Sequence, residues 1–247
     1  MKINGWDIAS AYARQWNVTP GFQSISNSSE WARGHPEPVL FGNTTGFKPL
    51  KITLLIKADR DRQKILSCCS EILSHLLEPV DLELDGFEHK FHGILTKHSL
   101  EENPLSVPFV QYNRASKLTL EFNCYEYGEE EAKVGSGATE LVIQNPGNVL
   151  TPAIIEITPQ IGAASITVTG ICRNTDTGEE LPVTVRNLEA GKTVILDGES
   201  GLFTQDGELK AADIDIWSVP TLLPGQNKIT INNDRMDVVV HFRPRFM

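Results

Sequence analysis

The sequence predicts a mainly β protein: an N-terminal β-rich domain with one α-helix, followed by a C-terminal antiparallel β-sandwich. Apolar residues alternate with polar ones at period two through most of the chain. Helical spacing is convincing in one stretch, between Asp59 and Pro79. In the second half, turn dipeptides separate short strand patterns at close intervals, as in a sandwich.

The first 47 residues have poor periodicity but hold three of the four tryptophans, Trp6, Trp16 and Trp31, with Arg14 and Arg33 nearby. Trp and Arg are enriched at interface hot spots because large rigid side chains bury much area at low entropic cost. These tryptophans are therefore candidate self-assembly contacts, with covering of the domain's own core as the competing role. Leu50, Ile52, Leu54 and Ile56 then share one face of a strand. Asp59 offers an N-cap oxygen, and Ile65, Cys68, Cys69, Ile72, Leu73, Leu76 and Leu77 recur at helical spacing. Pro79 ends that helix, because the residue before a proline is pushed out of the α region. Val80, Leu82 and Leu84 start a hairpin turning at Asp85-Gly86, a dipeptide that type I′ turns favour. A two-residue loop there sets Leu82 opposite His89 and Val80 opposite Phe91, with His89 on the apolar face. Leu118, Leu120, Phe122 and Cys124 make a further strand.

Tyr127 to Gly137 contains three successive carboxylates and three glycines and reads as a solvated linker, dividing the chain into domains 1–134 and 135–247. The second domain carries the pairs Ile155/Ile157, Ile166/Val168, Val183/Val185, Val194/Leu196, Ile214/Ile216 and Ile229/Ile231, then Val238/Val240/Phe242. Pro146-Gly147, Asp176-Thr177-Gly178, Asp197-Gly198, Asp206-Gly207 and Pro224-Gly225 supply the turns.

Composition narrows the function. The net charge is -10, and a cut after Val134 leaves 14 basic against 18 acidic residues before it and 8 against 14 after it. Phosphate-backbone binding needs clustered Lys and Arg, so nucleic acid is not an expected bound partner. No run of about 20 apolar residues suggests a membrane span. The start has no secretory h-region. The four cysteines, two of them adjacent, read as buried thiols.

Motifs for chemistry are weak throughout. His89 and His92 point to opposite strand faces and cannot share a metal. Asn174 to Glu180 resembles the start of a calcium loop but has Val185 where the acidic ligand belongs; a solvated turn explains it better. Gly198-Glu199-Ser200-Gly201 is not a nucleophile elbow. Cys68 and Cys69 lie on the helix's apolar side, where desolvation disfavours a thiolate. Asp213 and Asp215 share a solvated strand face opposite Ile214 and Ile216. No cofactor motif is present and no enzymatic activity is expected. Trp217 is a possible carbohydrate contact, with packing at the sandwich rim as the favoured role.

Two sets of residues resemble a known family. Lys48-Pro49-Leu50-Lys51-Ile52 through Arg60 and the helix, Glu78 to Gly86, and Phe91-His92-Gly93-Ile94-Leu95 are similar to the distal tail proteins (Dit) of siphoviruses infecting Gram-positive bacteria. Leu222 to Ile231 and Val238 to Arg245 resemble their galectin-like sandwich. The resemblance implies a structural ring, hexameric in type, at the virion tail tip. That ring joins the tail tube protein to a tail-associated lysin or a fibre or receptor-binding protein, and DNA passes through it unbound. It implies synthesis in the host cytoplasm and no membrane contact. A carbohydrate-binding sandwich that attaches to host cell-wall glycan is the alternative.

Overall fold

A computed structural model describes residues 1–31, 33–34, 36–57, 61–101, 115–174 and 177–247. Asp59 and Arg60, like Thr175 and Asp176 of the calcium-like segment, lie outside the described residues. The chain folds as two compact units, Met1–Tyr127 with Met247, and Gly128–Phe246.

In the first unit, β1 (Lys2–Ile3) and β2 (Trp6–Asp7) lead into a 3-10 turn, Ile8–Ala11, whose first turn Asp7 caps by accepting from the Ala9 N–H at 2.9 Å. Then come β3 (Ala13–Pro20), β4 (Ile25–Glu30), β5 (Val39–Thr45), β6 (Lys48–Lys57), α1 (Arg62–Ser74), β7 (Val80–Glu83), β8 (Lys90–Glu101) and β9 (Ala115–Tyr127). One antiparallel sheet runs in the order β2-β1-β7-β8-β9-β6-β3, while β4 and β5 pair only with each other. The alternation read in β6 holds: Leu50, Ile52, Leu54 and Ile56 are buried with Leu118, Leu120 and Phe122 of β9. Ile65, Cys68, Cys69 and Ile72 of α1 close that core.

The helix differs from its expected form at both ends. Asp61 is the N-cap, accepting from the Gln63 N–H at 2.9 Å and the Lys64 N–H at 3.3 Å. The last helical residue is Ser74, and Leu77, past the end, is exposed instead of continuing the apolar face. Leu76 still reaches the core.

The β7–β8 hairpin corrects the register by two residues: Leu82 faces Phe91, Asp81 faces His92 and Val80 faces Gly93. Asp85-Gly86 does turn, with Gly86 at φ +84 and the Phe87 N–H reaching the Leu84 carbonyl at 3.3 Å. The loop is longer because Gln15 holds it from β3. Its amide accepts from the Asp85 N–H at 2.9 Å and donates to the Asp85 carbonyl at 2.8 Å. Phe87 then packs edge-on against Phe91, ring centres 5.7 Å apart. A slip of two keeps Phe91 and His92 on their expected faces; a slip of one would have inverted them. His89 lies before β8 and bonds Glu126 at 2.8 Å, away from the apolar position expected for it.

The second unit contains β10 (Glu131–Ser136), β11 (Glu140–Asn145), β12 (Thr151–Pro159), β13 (Ala163–Arg173), β14 (Glu180–Leu188), β15 (Val194–Asp197), β16 (Phe203–Gln205), β17 (Glu208–Leu209), β18 (Ile214–Asp215), β19 (Thr221–Leu222), β20 (Gly225–Ile231) and β21 (Met236–Phe242). One sheet is β10-β21-β12-β15-β16-β17 with β19 beside β12; the other is β11-β20-β13-β14-β18. Ile155, Ile157, Leu196, Val238 and Val240 from the first meet Ile166, Val168, Val183, Val185 and Ile229 from the second in one core. That is a β-sandwich. The stretch expected as a linker is instead strand: β10 pairs with β21 from Glu131↔Phe242 to Ser136↔Asp237. The division accordingly falls after Tyr127. The acidic run sits beside and on an edge strand, where charge discourages stray pairing, and Glu130 meets Arg243 at 3.3 Å.

Buried amides fix one end of the sandwich. Asn227 accepts from the Leu223 N–H at 2.8 Å and donates to the carbonyls of Leu223 and Gly225. Asn145 donates to Thr151 and Leu223, both at 3.1 Å, and accepts from the Gly147 N–H at 3.0 Å. The Leu-Pro-Gly-Gln-Asn segment is thus a clamped turn.

Candidate functional site

No described cluster has the makings of an active centre. Burial pushes the thiols of Cys69 and Cys124 up to about 11 and about 12, and raises Cys68 as well, so none is poised as a thiolate. His92 pairs with Asp81 at 2.7 Å. Asp213 and Asp215 do not act together. Asp213 ends a 3-10 turn, accepting from Lys210 at 3.0 Å and from Asn187 at 2.8 Å, and Asp215 meets Arg186 at 3.4 Å. Hydrogen bonds from Lys210 and Asn187 hold the Asp213 carboxyl below the usual carboxylate range. Ser200 donates its hydroxyl to Asp197 at 2.7 Å, within a turn where Asp197 also accepts the N–H groups of Glu199 and Ser200. Burial pushes Asp197 up, but these bonds outweigh it and leave its carboxyl below the ordinary value. Asn174 organises its turn by accepting the Thr177 N–H at 3.2 Å.

The surfaces are more informative. In the β4–β5 ribbon, every residue of β4 from Ile25 to Glu30 is exposed. Around it lie Phe22 at 84% exposure, Ile25, Trp31 at 67% and Phe47, large apolar side chains with no cover in the same copy among the described residues. The ribbon leaves the sheet where the Gly21 N–H donates to the Pro49 carbonyl at 2.7 Å and closes where Gly46 reaches Ser24.

The three tryptophans of this region have different surroundings. Trp6 stacks on His75 with ring centres 4.2 Å apart and packs against the core. Trp16 is the extra residue of a bulge, since Gln15 faces Leu54 and Asn17 faces Thr53 across β3 and β6. Bulges re-aim side chains at sheet edges; Trp16 is 54% exposed, with the Arg14 guanidinium 5.6 Å from its ring centre. Trp31 lies in the ribbon. In the second unit Trp217 is 71% exposed, which overturns the expectation that it packs at the rim. Its neighbour Ser218 is half-buried, donating to the Arg173 carbonyl at 2.9 Å. Sequence reasoning found the tryptophans but missed the ribbon, whose strand Ile-Ser-Asn-Ser-Ser-Glu has no apolar alternation to betray it.

Among the described residues the chain is mainly β with one α-helix, and several of its large apolar side chains are exposed. Residues 146–246 match the family described as siphovirus-type tail component, C-terminal domain. Over its whole length the chain has the distal tail protein fold. It superposes on the crystal structure of the SPP1 Dit (gp 19.1) protein, described as a paradigm of the hub adsorption apparatus in Gram-positive infecting phages. The TM-score is 0.73 at 13% identity, over 99% of this chain and 98% of that one. The baseplate of phage P2 in its activated conformation with Ca contains a chain similar at TM-score 0.52 and 9% identity, over 97% and 92%. No curated protein matches the sequence.

Proposed function

We propose that this protein is a structural component of a siphovirus tail tip, where identical copies close into a ring hub, of hexameric type, below the tail tube. The ribbon carries this reading: β4, which buries none of its side chains at home, has lost chain entropy without gaining a core, and it recovers that cost when another copy covers it. The ring joins the tail tube protein to a lysin or fibre protein and acts by geometry, without bond chemistry. Trp16 and Trp31 are its exposed aromatic anchors, while Trp6 supports the sheet from within. The acidic balance suits a channel that DNA traverses without sticking. Native mass spectrometry and negative-stain microscopy of the purified chain test this: closed rings with a central hole are expected, and a monomer at every concentration would sink the reading.

A second role for the sandwich is favoured by the exposure of Trp217, an aromatic face free to stack on a sugar of the host wall. Trp217→Ala should then abolish retention on cell-wall polysaccharide at an unchanged melting temperature. Equal retention ends that role.

A further inference from the structure

A closed ring of more than two copies is built head to tail, so the surface that leaves one copy must meet a different surface on the next. The ribbon is one such surface, and resting on the ring reading, its counterpart can be sought in the first unit. The sheet ends at β3, whose outer edge pairs with no described strand. At the Ala13 end of that strand two aromatic rings lie exposed, each beside a cation. The Lys64 ammonium is 4.3 Å from the centre of the Tyr12 ring, and the Arg14 guanidinium is 5.6 Å from that of Trp16. Lys57, exposed at the end of β6, adjoins this edge through its backbone N–H, which donates to the Tyr12 carbonyl at 3.0 Å. The nearby Asp61 carboxylate is engaged in capping α1.

The ribbon has the opposite character. Its described charged residues are Glu30, Arg33 and Glu37, all exposed, among the apolar side chains of Phe22, Ile25 and Trp31. One surface is aromatic and basic, the other apolar and acidic on balance. They also lie at opposite ends of one strand: the ribbon departs beyond Pro20, the basic rings sit at Tyr12 to Trp16. At roughly 3.3 Å per residue, about 26 Å of chain separates Tyr12 from Pro20 and about 13 Å separates Trp16 from it. Such an arrangement offers one surface to each neighbour.

We infer that the ribbon of one copy docks on the Tyr12–Arg14–Trp16–Lys64 edge of the next copy, with Glu30 and Glu37 set against Arg14, Lys57 and Lys64. The cations, already placed over their rings, need little ordering when the acidic ribbon arrives. Charge complementarity then selects which surface meets which.

Two full-length variants test the pairing. One reverses the ribbon, Glu30→Lys with Glu37→Lys; the other reverses the edge, Arg14→Glu with Lys64→Glu. Each alone sets like charges against each other at every junction, and the protein concentration at half assembly should rise at least about tenfold. Mixed in equal amounts, the two variants place opposite charges at every junction of an alternating ring, and assembly should return to near the native concentration. Circular dichroism confirms that each variant is folded. If the native chain forms rings but either variant assembles as readily as the native chain, or the folded mixture does not recover, the docking is wrong while the ring stands. A native chain that never assembles removes both.

Discussion

Two antiparallel strand pairs of the molecule solve the same backbone problem in opposite ways. In the sandwich, β12 alternates between buried and half-buried at every position from Thr151 to Pro159, held between β15 and β21. In the ribbon, β4 buries nothing along its length. Among the described residues β12 is paired along both edges and β4 along one only, so the two already differ in their ladders. Side-chain burial differs too: β12 belongs to a core complete within one chain, whereas every residue of β4 is exposed, which suits the proposed cover by another copy. Apolar area left in water is therefore distributed by role, and the core side chains should govern stability while those of the ribbon govern association.

The largest effects should come from the sandwich. Gly170 has φ +89, and a Cβ there would lie 2.1 Å from the Lys228 carbonyl oxygen. Gly170→Ala combines strained backbone with a collision that backbone cannot yield to, and should cost roughly 3–5 kcal/mol in urea unfolding of the second unit. Ile155→Ala, at a fully buried position of β12, should cost about 2–5 kcal/mol by the same measurement. A loss below about 1 kcal/mol for either would mean that the sandwich core yields more readily than its packing implies.

The ribbon should show the reverse. Phe22→Ala and Trp31→Ala are expected to shift unfolding free energy by no more than about 0.5 kcal/mol, as surface changes do, while weakening ring assembly in native mass spectrometry. A stability loss as large as that of Ile155→Ala would show that the ribbon packs at home after all.

Acid should separate the units by a smaller margin. The Asp197 and Asp213 carboxyls, both in the second unit, have folded values lowered below their unfolded ones. Their contribution is present above the unfolded value near pH 4 and is lost as pH falls through the folded one. The melting-temperature difference between the native chain and Asp197→Asn should therefore be largest near pH 6 and shrink towards pH 3. A difference that does not change with pH would rule out the carboxylate as its source.

The sandwich was legible because each strand is half-buried within its own chain, and period two survives in Ile166/Val168 and Val238/Val240/Phe242. The helix was legible for the same reason, though its cap and last turn shifted with Asp61 and Leu77. The tail-family resemblance was also readable from the residues, and the match over 146–246 agrees with it. The ribbon was not legible, because an exposed strand of Ser and Asn has no burial to leave a periodic trace.

The sequence by itself determined which faces are apolar, and with them the two cores, the β class and the lack of a reactive motif. That information is local: alternation along a strand depends only on which residues follow one another. The tertiary structure alone decided that the hairpin loop lengthens under the Gln15 clamp and that the acidic stretch after Tyr127 pairs with β21. It also decided that Trp6 turns inward while Trp16, Trp31 and Trp217 face solvent. The hairpin clamp, the β10–β21 pairing and the Trp6–His75 stack each depend on a partner far along the chain, and no short window of sequence contains both members of the pair.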